Sequence, residues 1–485
     1  MKLSRRECLL ALTLAALSGC KAASATRSPG PADNPPPPGK SGGSEKALTR
    51  FTPEQFGAVG DGNTNDTQAF IDMTEAVNAA GGGTVILRAA TYIVGAHVPD
   101  PASAYAYAPT TIMEFNGCTQ PLAILGNGAR LRCADGLRFG TFDPLTGAAT
   151  QHPLPYYGTG ELASPYVAMV SVKNCSSGVT IQDLELDGNL AGLIIGGPYG
   201  DVGWQIPCYG LRLINNTNKE QVVRVHAHHH PVDGLIIDGA PGRQTWSVIQ
   251  EVNSEYNGRQ ACSIIGGQNY SFEDCKFNHS GKGGIASAPG AGLDIEAESS
   301  PVRNLNFSAC EFVNNNGAGM VADSGDSAGA SFTKCRFVGT TSWAAWPRKP
   351  QFRFDTCQFV GSICNTFGSQ DPALAARFFN CSFCDDPKLS PTGEVYSDSY
   401  PIADLSDYVN VLFDGCRFTL TNGEVLPWSI NAIYKDVTMA QASAKQAYPR
   451  GTYLGTSRID GNVDLNGSSI LGQLTVNGAL VARTG

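Results

Sequence analysis

Six copies of one short pattern, aromatic-x-x-Cys-x-Phe, run through the second half of the chain: Phe272 to Phe277, Phe307 to Phe312, Phe332 to Phe337, Phe354 to Phe359, Phe378 to Phe383 and Phe413 to Phe418. Their cysteines, Cys275, Cys310, Cys335, Cys357, Cys381 and Cys416, follow one another at intervals of 35, 25, 22, 24 and 35 residues. A unit this short cannot bury its own apolar face, so the copies must stack, with insertions at some turns. The pattern predicts an all-β fold, a single-stranded right-handed parallel β-helix. Successive coils there lie about 4.8 Å apart, and like side chains line up as ladders inside the tube.

A solenoid grows in one dimension, so 485 residues fit one long domain better than three ordinary ones. Fifty-six glycines and 16% charged residues suit short strands joined by tight turns. The formal net charge of -9 argues against nucleic acid or an anionic membrane surface as partner.

The first twenty residues read as an export signal. Ser4-Arg5-Arg6-Glu7-Cys8-Leu9-Leu10 resembles a twin-arginine signal, and Leu17-Ser18-Gly19-Cys20 resembles a bacterial lipobox, in which a lipid would be attached to Cys20. An ordinary signal peptide that ends near a cysteine is the alternative. Residues 21–48, with Pro35 to Pro38 and glycine and serine around Gly42, have the composition of a disordered tether. These features predict a bacterial cell-envelope protein, periplasmic or surface-exposed, that touches the membrane only through a lipid anchor.

Without Cys8 and Cys20, thirteen cysteines remain, an odd number that cannot all pair. Stacked interior thiols are the alternative, because free cysteine packs as a small hydrophobe. Cys381-Ser-Phe-Cys384 lacks the second pair or neighbouring histidine that a zinc site would need.

Phe56-Gly-Ala-Val-Gly-Asp-Gly62, Asn65-Asp-Thr-Gln-Ala-Phe70 and Gly81-Gly-Gly-Thr-Val-Ile-Leu87 together resemble the opening segment of pectate-lyase-superfamily β-helix proteins. The resemblance implies a short helix capping the open end of the tube, then a first strand. Independently of it, Phe70, Met73, Ala76 and Val77 have helical spacing over Thr67 to Ala79, and glycines end the run. The chain departs from the superfamily at Arg88-Ala89-Ala90-Thr91-Tyr92, where a Pro and a Gly usually precede the tyrosine. Architecture of this kind does not decide chemistry.

Traced backward, the cysteine position is taken by Val252, Val225 and Leu184. An insertion around Pro198, Tyr199 and Trp204 and a loop over 137–165 read as groove-shaping excursions. The expected β-helix spans 49–450. In 451–485, Gly461-Asn-Val-Asp-Leu-Asn-Gly467 is echoed by Gly472-Gln-Leu-Thr-Val-Asn-Gly478, a small β unit that covers the last coil or mediates oligomer contacts.

Thirteen residues on from the ladder positions lie Asp238, Ile265 and Asp323, with Glu296 in the same column after its longer coil. The period of two turns Leu235, Ile237, Cys262, Ile264, Leu293, Ile295, Met320 and Ala322 inward and Asp238, Ser263, Ile265, Asp294, Glu296, Val321 and Asp323 outward. Asp294, Glu296 and Asp323 would then be close neighbours. Three readings stay open: a solvated acidic strip, a catalytic set in which one carboxyl is an acid and another a base or nucleophile, or a Ca2+ site.

His226, His228, His229 and His230 precede Pro231-Val-Asp233-Gly234. One of them could replace a turn asparagine that satisfies backbone groups. The others suit a general base or substrate hydrogen bonding, with His229, His230 and Asp233 as candidates. One coil later, Tyr256-Asn257-Gly258-Arg259 offers substrate-binding groups. Arg259 either grips a substrate carboxylate through two parallel hydrogen bonds or pairs with Asp233 or Asp294.

Asp233-Gly234 followed by Cys262-Ser263-Ile264 is similar to polygalacturonases, but Arg259-Gln260 stands where two aspartates belong. Tyr256-Asn257-Gly258-Arg259-Gln260 resembles a coil of alginate epimerases, without their Asp-Pro-His motif. Together the resemblances imply a polysaccharide substrate, probed by a hydrolase or lyase acting on an acidic glycan. The alternatives are an epimerase and a non-catalytic glycan-binding or cell-envelope scaffold.

Overall fold

The computed structural model describes residues 48–99, 105–151, 161–197, 206–397 and 401–484. The export signal with Cys20, nearly all of the tether, and Pro198, Tyr199 and Trp204 lie outside the described residues. The described chain winds into the expected parallel β-helix. Its main sheet gathers 35 strands joined almost entirely by parallel pairs.

The ladder explains the winding. Phe272, Phe307, Phe332, Phe354, Phe378 and Phe413 pair in sequence across successive coils, and their rings stack at 4.5 to 5.0 Å between centroids. A second stack from Phe277 to Phe418 runs beside it. The residue before each ladder cysteine, among them Asp274, Lys334, Thr356 and Asn380, takes a left-handed backbone conformation with φ of 51° to 66°. That single residue bends the chain from one strand into the next and turns the cysteine inward. The Cys357 thiol then donates to the Phe332 carbonyl one coil below at 3.3 Å. The same bend recurs at Asp183, Arg224 and Glu251, just before Leu184, Val225 and Val252. Twelve of the thirteen cysteines after Cys20 are buried thiols outside any disulfide, and Cys384 packs with Val313, Val338 and Val360 away from Cys381.

The strands that carry the site are β1 Leu122–Cys133, β2 Val179–Asp187, β3 Glu220–His228, β4 Leu235–Asp238, β5 Asn253–Glu255, β6 Cys262–Glu273, β7 Leu293–Ile295 and β8 Met320–Ala322. Leu235, Cys262, Leu293 and Met320 share one inward column, buried as the alternation predicts. Inside the turns, asparagines serve the backbone: Asn216 accepts from the Cys175 N–H, Asn257 from His230 and Asn315 from Ser280.

Helix α1, Thr67–Ala80, buries Phe70, Met73 and Val77 and ends at Gly81 with φ 76°. Asn78 pins it to the strand Met113–Asn116, donating to the Glu114 carbonyl and accepting from the Asn116 N–H. It thereby covers the first winding. The expected loop at 137–165 is partly strand instead. Arg138–Thr141 and Leu162–Ala163 join Tyr105–Ala108, Val98–Pro99 and Ile194–Gly196 in a separate five-stranded sheet, and residues 152–160 lie outside the described residues. At the far end, Pro449–Leu454 is still a coil strand, and parallel pairing continues to Gln473–Val476. Ala479–Val481 then folds back antiparallel on that strand, leaving the last edge covered.

Candidate functional site

The outward positions of β4, β6, β7 and β8 form one acidic strip. Asp294 follows Ser263 of the coil below and precedes Val321 of the coil above. Glu296 and Asp323, each just past the end of its strand, lie near enough for their charges to act on Asp294. One expected neighbour is displaced: Asp238 pairs with Gly266, not Ile265, because β6 bulges there. A Cβ at 266 would stand 2.3 Å from Ser299 Oγ and 2.8 Å from Asp238 Oδ1, so those side chains would have to move. Ser299 in turn donates to Asp238.

Asp294 is the unusual group. It is 5% exposed, and burial, reinforced by the charges of Glu296 and Asp323, pushes its carboxyl up to about 8. Gln260 Nε2 donates to Asp294 Oδ2 at 2.7 Å, while Gln260 Oε1 is buried without a partner. Turning the amide end for end would let a protonated Asp294 donate to that oxygen, so the neutral carboxyl and the orphan acceptor suit one another. Glu296, half-buried, accepts from Ser324 Oγ at 2.5 Å. A protonated carboxyl next to other carboxylates can give a proton while a neighbour takes one or attacks.

Of the two readings left open for Arg259, the structure has the pairing with Asp233. Arg259 Nε donates to Asp233 Oδ1 at 2.7 Å and Nη2 to Oδ2 at 2.5 Å, and Ser263 Oγ adds a third bond at 3.0 Å. Asp233 is fully buried. The bidentate grip expected for a substrate carboxylate is therefore filled by the protein, and Asp233 has no face left for catalysis. Removing one partner strands a buried charge. Arg259→Ala is expected to lower the unfolding free energy by about 3 kcal/mol, and D233N/R259M to recover much of it, as read by urea denaturation. Additive losses in that double variant would show that the pair is not coupled.

The histidines are divided by backbone direction. His226 and His228 point outward from β3, and His229 occupies the left-handed turn position with φ 55°. That position belongs to Tyr256, His279 and Asn314 in other coils, with φ between 55° and 58°. One histidine thus does stand where another coil carries asparagine. Tyr256 is stacked between His229 and His279, at 5.3 and 4.5 Å, so its ring faces are covered. His230 points into the tube, fully buried, with Nδ1 2.9 Å from Tyr166 Oη and Nε2 3.0 Å from the Leu186 carbonyl. It cannot reach a substrate. Nor can Asn257, buried and bonded to His230, Ala227 and Ser254.

Around His226 and His228 lie residues that the chain order did not single out. Glu185 pairs with His226 and Asp187 with His228 across β2 and β3, and Arg130 and Arg132 pair with Glu185 and Asp187 across β1 and β2. Burial, with His228 beside it, lowers His226 to about 4, so it is neutral at physiological pH. Shallow grooves bordered by Glu185, Arg224, His226 and Asn253 run along this side. These residues sit on β1, β2, β3 and β5, whereas Asp294 sits on β7 and Glu296 and Asp323 directly follow β7 and β8. The single groove expected from the sequence becomes two clusters on different strands of the coil.

No family model matches the chain. Among curated proteins it is 26% identical over 379 residues to the capsule KN3-specific depolymerase 1 of Klebsiella phage KN3-1, a match covering 70% of this chain and 42% of the phage protein. The chain thus spans less than half the length of that relative. Among solved structures, the A-module of the Azotobacter vinelandii mannuronan C-5 epimerase AlgE4 aligns over 90% of this chain and 100% of its own, at 14% identity and a TM-score of 0.41. The tailspike gp49 of Acinetobacter baumannii bacteriophage Fri1, a capsular polysaccharide depolymerase, aligns over 90% of this chain and 65% of its own, at 12% identity and a TM-score of 0.40. Likenesses this distant carry no weight on activity, and the β-helix stands on its own strand register.

Proposed function

We propose that the chain is a polysaccharide-active enzyme of glycoside hydrolase type, working on a glycan laid across the outward side of β7. The observation that carries this reading is Asp294, a carboxyl kept protonated near neutral pH, with Glu296 two residues on and Asp323 close enough for its charge to act on it. Asp294 would protonate the glycosidic oxygen. Glu296 or Asp323 would activate water or attack the anomeric carbon, the division of labour that paired carboxyls provide in glycoside hydrolysis.

A lyase or epimerase needs a base together with a cation that neutralises the charge developing next to a uronate carboxylate. At the carboxylates Arg259 is held by Asp233, so for Asp294 the hydrolase reading is the better supported. The acidic glycan expected from Arg259 widens for the same reason to neutral ones. The capsule specificity in the phage relative's name supports a polysaccharide substrate. The export-signal resemblance supports a bacterial cell-envelope location with Cys20 as lipid anchor.

The test is to incubate the purified protein with a panel of neutral and acidic glycans, following reducing ends together with the absorbance of unsaturated uronates. New reducing ends without that absorbance are expected. Unsaturated products would replace the hydrolase with a lyase. Tight binding without either signal would leave a non-catalytic glycan-binding solenoid.

A further inference from the structure

The cluster on β2 and β3 has a geometry that the proposed hydrolysis does not use. Asp187, His228 and His229 each turn one donor atom to a common point, and these atoms all lie within 4.8 Å of one another. They are the one trio among the described residues that does so; Asp294, Glu296 and Asp323 form no such trio.

The two imidazoles face each other through the same atom, His228 Nδ1 standing 2.7 Å from His229 Nδ1. At its other end His228 Nε2 is 3.1 Å from Glu185 Oε1. An ionised carboxylate only accepts hydrogen bonds, so that contact places the His228 proton on Nε2 and leaves Nδ1 with a lone pair. The lone pair points at His229 Nδ1 and, at 3.7 Å, at Asp187 Oδ1. A carboxylate that orients a histidine through its far nitrogen is the usual support behind a metal-ligating imidazole. Asp187 is itself fixed: Arg130 holds Oδ2, and Oδ1 accepts from the Asn189 N–H at 2.8 Å.

We propose that Asp187, His228 and His229 bind one borderline divalent ion of the Zn2+ class, with Glu185 orienting His228. Two imidazole nitrogens and one carboxylate oxygen suit zinc and its neighbours better than calcium, which prefers all-oxygen sites. Three protein donors leave at least one coordination position for water or a sugar oxygen. Arg130 competes for Asp187, so release of that ion pair accompanies loading.

The experiment uses tag-free, EDTA-stripped full-length protein titrated with ZnCl2 by calorimetry, with thermal unfolding measured in parallel. One equivalent of zinc is expected to bind and to raise Tm, because a ligand that binds only the folded state stabilises it. His228→Ala and Asp187→Asn should weaken binding at least tenfold. His229→Asn is the variant least able to disturb the fold, because Asn314 already occupies the same turn position in another coil; it should weaken zinc binding at least tenfold while leaving the stripped protein's Tm unchanged. Binding as tight in His229→Asn and Asp187→Asn as in the unmodified protein, or no stoichiometric zinc at all, would overturn the assignment.

Discussion

Replacing Asp294 by asparagine is expected to lower the rate of glycan cleavage by about 10²–10⁴-fold, the usual contribution of a general acid. It should also change the pH profile. In the unmodified protein the acid is protonated below about 8, so activity holds through neutrality and falls as pH rises through that value, while the acid limb reports ionisation of the partner carboxylate. Asp294→Asn should lose the alkaline limb along with the rate. A variant that keeps that limb with unchanged kcat would remove Asp294 from the mechanism.

The same carboxyl makes an opposite mark on stability. Its folded proton affinity is raised, so between pH 4 and 8 the unfolded chain gives up the proton while the folded chain keeps it. Each pH unit in that window costs about 1.4 kcal/mol of stability, bounding the whole effect at roughly 6 kcal/mol. Asp294→Asn should therefore flatten the fall in unfolding free energy between pH 5 and 8, as measured by denaturant titration. An activity loss with an unchanged stability slope would mean that burial is not what holds the proton.

The second large effect is expected in the ladder. Phe332 is fully buried and stacks at 4.7 and 4.9 Å on Phe307 below and Phe354 above. Phe332→Ala removes both stacking partners and leaves a void that the rigid windings cannot close. It should cost about 3–5 kcal/mol in chemical denaturation. Phe332→Leu, which keeps most of the volume, should cost less than half as much. Because each winding touches only its neighbours, hydrogen exchange should quicken first in the coils around residue 332. Uniform loosening along the whole tube would contradict that local picture.

How far the site was legible follows from the same register. Leu184 and Val225 were recognisable as ladder positions, and one and three residues beyond them stand Glu185 and Asp187, His226 and His228. The outward alternation was therefore enough to find the cluster on β2 and β3, with Arg130 and Arg132 supplied by the coil below. The acidic strip on β7 and β8 came from that reasoning directly, and only the bulge at Ile265 broke its count.

The amino-acid order carried the period of the coil, the inward thiols and rings, the capping helix and the outward rank of Asp294, Glu296 and Asp323. These depend on spacing along the chain, which repetition makes readable. Closure of Arg259 on Asp233, the inward turn of His230, the burial of Asn257 and the convergence of Asp187 on His228 and His229 depend on the backbone conformation of single turn residues and on contacts between different windings. A local pattern holds no record of either, because a side chain's partner and its contact with water are properties of the packed solenoid.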